Sequence, residues 1–133
     1  GTTTVESLWQ SLRVSRLTAF IVRSVERHTR WVFSAERNQQ LAGDLERQAW
    51  TFLSRLKQSG ALAGATAQQA FFVRTSTLRT PGIADGHDDV AITLRIGFAP
   101  RAANEFLTYD FRYHALSLTT EVVPVRDAER NFG

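Results

Sequence analysis

Between Asp89 and Phe98 the chain alternates without a break. Val90, Ile92, Leu94, Ile96 and Phe98 take every second place, with Ala91, Thr93, Arg95 and Gly97 between them. A period of two sends one set to one face of a β-strand and the other set to the opposite face. A strand with one strongly apolar face needs neighbours beside it and a layer over it. The remaining sequence has to supply both.

Two further segments suit the neighbours. Ala70–Thr77 contains Phe71, Phe72 and Val73, and Glu105–His114 places Leu107, Tyr109, Phe111 and Tyr113 on one face against Thr108, Asp110 and Arg112. Pro81-Gly82 and Asp85-Gly86 read as turns between the first two strands, and Pro100 ends the second. The tail Ala115–Val125 is again rich in β-formers, but no partner for it is evident within the chain.

The covering layer comes from the first half. Val14, Leu17, Phe20, Ile21 and Val25 mark one face of an amphipathic helix, whose start Ser11 or Ser15 would cap. Its opposite surface carries Arg16, Arg23, Glu26, Arg27 and Arg30. Trp31 to Phe33 form a short bridge, extended or turning. A second helix is predicted over Gln39–Ser59, capped by Asn38, with Leu41, Leu45, Ala49, Phe52, Leu53 and Leu56 as its buried stripe. Lys57 in its last turn and Gly60 just beyond suit a helix end. Thr66 with Gln69 has capping-box spacing and predicts one helical turn before the first strand.

The expected fold is α+β: two amphipathic helices packed on one face of a small, mostly antiparallel sheet, with extended terminal arms. Residues 1–13 form the N-terminal arm, 14–114 the core, and 115–133 the C-terminal arm or extension. At 133 residues this is one domain, long enough to bury a core without staples. The absence of methionine, with Gly1 followed by three threonines, reads as a trimmed chain.

Composition excludes several chemistries. Without cysteine there is no disulfide or thiolate chemistry. No apolar run reaches the length of a membrane-spanning helix, and no signal-peptide pattern opens the chain. No nucleophile elbow, phosphate loop or zinc spacing is present. His28, His87 and His114 are far apart, so no catalytic residue, metal ligand or cofactor site is assigned. Asp85–Asp89 (Asp-Gly-His-Asp-Asp) misses the calcium-loop spacing and reads better as a solvated turn. Gly60-x-x-x-Gly64 reads as a helix-ending turn rather than a membrane packing motif. Trp9 and Trp50 read as core before binding anchors. The net charge is +3, and fifteen of sixteen basic residues are arginine, the residue favoured at interfaces and on phosphates. A nucleic-acid surface would need stacking aromatics beside those arginines, and the nearest, Phe20 and Trp31, read as core.

In order along the chain, Thr29, Trp31, Val32 and Phe33 follow a basic helix. Gly60, Ala61, Leu62, Gly64, Thr66, Ala70, Phe71 and Val73 precede a strand, and Pro100, Glu105 and Phe106 open the last core strand. This succession, over Val14 to Arg112, resembles the C-terminal domain of contractile tail sheath proteins of phages and related injection systems. Members of that family carry large upstream domains, which are missing here, and usually stop soon after the Glu-Phe strand.

The resemblance implies a non-enzymatic structural subunit that assembles by strand exchange into a helical tube around an inner tail tube, in a virion tail or the bacterial cytoplasm. Its partners would be identical subunits and the inner tube protein, with no small-molecule substrate and no membrane span. Both ends, Thr2–Leu8 and Ala115–Val125, look strand-capable, so Leu118, Thr120 and Val122 would lie in a donated strand. Arg23, Arg27 and Arg30 would meet acidic groups on a neighbour or the tube. Gly60, Ala63 and Gly64 would form a close-packed corner facing the inner tube or an adjacent subunit, or simply a helix cap and connector. A non-contracting cap, terminator or baseplate-proximal ring protein is the alternative, and a basic nucleic-acid-binding module is a second.

Overall fold

The computed structural model describes residues 2–80, 89–101, 103 and 105–126. Helix α1 runs Thr2–His28 and ends in a 3₁₀ turn, Arg30–Ser34, at the Trp-Val-Phe bridge. Helix α2 covers Leu41–Gln58, and the single turn α3 covers Ala67–Ala70. The strands are β1 (Phe71–Thr80), β2 (Asp89–Phe98), β3 (Leu107–His114) and β4 (Thr119–Pro124). They form one antiparallel sheet in the order β1-β2-β3-β4. The α+β expectation holds, with helices against a four-stranded sheet.

The core is where the two periodicities meet. Ile92, Leu94, Ile96 and Phe98 are buried, as the alternation requires, with Phe111 and Tyr113 from β3 beside them. Over them lie Leu41, Leu45, Ala49 and Leu53 of α2 and Ile21 and Val25 of α1. Thr29 joins the layers: its hydroxyl donates to the Val25 carbonyl at 2.7 Å and accepts from the Tyr113 hydroxyl at 2.8 Å. The α2 end is a Schellman cap, in which the Ala61 amide bonds Leu56 O, the Gly60 amide bonds Lys57 O, and Gly60 sits at φ +90°.

The far face of the sheet is not simply wet. Arg95 and Asp110, register partners on β2 and β3, form a forked pair (Nε–Oδ1 2.7 Å, Nη2–Oδ2 2.9 Å), and both are buried. Gly97 lies opposite Phe72, whose ring fills the space that a side chain at position 97 would need.

Both arms differ from expectation. The N-terminal segment is helix, not an extended arm: α1 begins at Thr2, well before Ser11 or Ser15. Val5, Leu8, Trp9 and Leu12 repeat at i, i+3, i+4 and i+7, and that spacing is helical. The C-terminal segment does have an internal partner. Residues 115–118 reverse the chain, with Leu118 at φ 55°, and β4 pairs with β3 from His114↔Thr119 to Tyr109↔Pro124. Val122 then packs on the core, and Glu121 lies opposite Arg112. The strand immediately before the tail supplies its pairing. The turns expected at Pro81-Gly82 and Asp85-Gly86 lie outside the described residues.

Candidate interaction surface

At about 100° per residue, α1 presents two different stripes. Val14, Leu17, Ile21 and Val25 point into the protein, grading from half-buried to fully buried. About half a turn round lie Val5, Leu8, Trp9 and Leu12, followed by Arg16, Phe20, Arg23 and Arg27. This outward stripe is in water: Leu8 is 62% exposed, Trp9 56% and Phe20 52%. The first turns of α1 stay near the body on their other side, where Ser7, Ser11 and Val14 line a cleft with Ala103 and Glu105.

Helix α2 extends the same surface. Phe52 lies 6.1 Å from Phe20 and 6.4 Å from the His28 ring, centroid to centroid. Beside them a cleft of ≈ 380 Å³ is lined by His28, Asp44, Arg47, Thr51 and Arg55 among others. The His28 Nδ1–H donates to Ser24 O at 2.7 Å. Arg47 pairs with Asp44 at 3.1 Å, both well exposed. Arg16, Arg23, Arg27 and Arg55 make no ion pair with any described residue. The result is a cationic face built around a ring cluster, with Asp44 the one acid lining its clefts among the described residues.

The expected contact residues divide. Arg23 and Arg27 share this face. Arg30 does not: it borders a separate cleft with Glu26, Phe33 and Leu118. Gly60 is the helix cap. Gly64, at φ +102°, packs so closely on Gln69 and Ala70 that a Cβ there would lie 2.8 Å from Gln69 Cβ. The Ala63 amide bonds Ala99 O at 2.7 Å. The small-residue corner is therefore tight, and it packs on its own chain. Leu118 is in the β3–β4 turn, while Thr120 and Val122 are half-buried in β4 rather than free for donation.

Sequence reasoning missed three things. Phe20, Trp9 and Trp50 are not core; Trp50 is 48% exposed, edge-on to Phe71. The contributions of Arg47, Phe52 and Arg55 from α2 depend on how two helices sit together, which no local spacing encodes. The Val5-Leu8-Trp9-Leu12 stripe was detectable from spacing alone.

Among the described residues no cluster of three or more His, Cys, Asp or Glu could hold a metal ion. Residues 85–88 of the acidic turn lie outside them. Among the described residues, no helix is long and apolar enough to cross a membrane. No protein-family model, curated protein or solved structure matches this chain.

Proposed function

We propose that the chain is a structural subunit of a contractile tail sheath, packed with identical copies into a helical tube around an inner tail tube. The supporting observation is the α1/α2 face, where four arginines that pair with no described residue lie around the contact of exposed Phe20 with half-buried Phe52. Unpaired charge beside exposed aromatic surface favours a macromolecular contact, and the arginines call for an acidic counterpart on a neighbour or the tube. The segment order shared with sheath proteins supplies the kind of assembly. Strand exchange would use β4, whose release requires opening the 115–118 turn where Leu118 holds a left-handed φ. A subunit closed on itself would exchange that strand only during assembly. The ring or terminator alternative uses the same face with closed symmetry.

The exposure of Phe20 also favours a second reading, a nucleic-acid module, because an arginine face with an accessible ring can stack bases. Negative-stain microscopy separates these. Tubes are the expected outcome, and closed rings would select the terminator. Dispersed particles that shift an oligonucleotide at low salt, and release it steeply as salt rises, would replace the sheath reading.

A further inference from the structure

We infer that the outward face of α1 seats one amphipathic helix of a partner protein, acidic in its N-terminal half, apolar in its C-terminal half, and antiparallel to α1. The inference rests on reading this face as a contact surface and adds the partner's chemistry.

Val5, Leu8, Trp9 and Leu12 have the spacing by which one helix offers anchors to another, and all four are exposed. The same face continues into Arg16, Arg23 and Arg27. Among the described residues the one acid lining its clefts is Asp44 of α2, already paired with Arg47; Glu26 borders the cleft with Arg30 and Phe33, and Glu6 lies about a third of a turn away. From Val5 to Arg27 the seat is roughly 33 Å long at 1.5 Å per residue, the length of one helix. Its polarity is fixed. Four anchors sit at the α1 N-terminal end and the cations at its C-terminal end, where Phe20 is the one large apolar side chain among them.

A matching helix must therefore be apolar at one end and acidic at the other. Carboxylates are stabilised in the first turn of a helix, so we assign the acidic end to the partner's N-terminal half. Laid over Arg23 and Arg27, that end makes the pair antiparallel. A second copy of α1 fits poorly along this length. Parallel copies set arginine on arginine, and antiparallel copies set Arg27 over Val5. A nucleic acid would satisfy the arginines and could stack a base on Trp9, but it would leave Val5, Leu8 and Leu12 without an apolar partner.

The test is fluorescence anisotropy on the full chain with labelled synthetic helices of about 22 residues, matching the seat. One probe has glutamates in its first half and leucines at i, i+3, i+4 and i+7 in its second; a control exchanges the halves. The first should bind at least about tenfold tighter than the control. Trp9→Ala should weaken it about 30-fold at low and high salt alike, as loss of an aromatic anchor does. Arg23→Gln with Arg27→Gln should weaken it about fivefold, at low salt only. Circular dichroism of each variant should be unchanged, because these side chains are exposed.

Equal binding of both probes, no binding, or indifference to Trp9→Ala overturns the inference. So does displacement of the probe by an oligonucleotide, or a dimer that Trp9→Ala dissolves. Subunits that form tubes while both probes fail overturn this inference alone; dispersed subunits that bind the first probe overturn the sheath assembly and leave the seat standing.

Discussion

Tyr113 shows how one buried hydroxyl ties the two layers together and leaves a signature in pH. Burial pushes its phenol well above the ordinary tyrosine range; the hydrogen bond with Thr29 opposes this, and the Glu26 charge adds to it. Burial also raises Tyr109, the protein's other tyrosine. In both cases the folded form holds its proton to higher pH than the unfolded chain. Their contribution to stability is thus complete below about pH 10 and declines above it, where the unfolded chain ionises first. The melting temperature should stay level to about pH 9 and fall beyond pH 10, with phenolate absorbance rising only as the protein unfolds. Tyr113→Phe should reduce the alkaline decline and lower neutral-pH stability by about 1 kcal/mol. A phenolate signal with an ordinary midpoint in folded protein would contradict this account.

Among the elements, α1 is the instructive one because its halves do different jobs. β2 was legible to the residue, Asp89–Phe98, since its alternation is local and unbroken. The α2 stripe was legible for the same reason. In α1 the apolar stripe changes face between Leu12 and Val14, so a search for one continuous face starts too late and loses the first turns. Phe20 and Trp9 failed similarly: apolar spacing says that residues share a side, not whether anything covers it. For β4 the strand character was plain, but pairing depends on a chain reversal through Leu118, a non-glycine residue at positive φ. Deleting residues 1–12 should therefore leave the body folded, with a melting temperature within about 4 °C of the parent, because the side chains of residues 4–12 are exposed. Ile21→Ala, at a fully buried site, should cost about 3 kcal/mol by chemical denaturation. Comparable losses from the two changes would mean that the first turns of α1 are part of the core.

At the scale of the molecule, the described charges on its two sides serve different ends. One side, formed by α1 and α2, carries Arg16, Arg23, Arg27 and Arg55, which pair with no described residue. Arg23→Glu combined with Arg55→Glu should consequently leave stability within about 0.5 kcal/mol of the parent while abolishing tube assembly in microscopy. Assembly that survives this reversal would remove the cationic face from the proposed mechanism. On the opposite side of the molecule the charges do the reverse. Arg95 and Asp110 meet only when β2 and β3 are aligned as Ile92↔Tyr113 through Phe98↔Leu107. A hairpin shifted by one residue would strand two ions in a dry environment and turn the apolar set outward, so mistakes are heavily penalised. This pair thus serves as a check on alignment: a hairpin slipped by one residue forfeits the ion pair and the apolar face together.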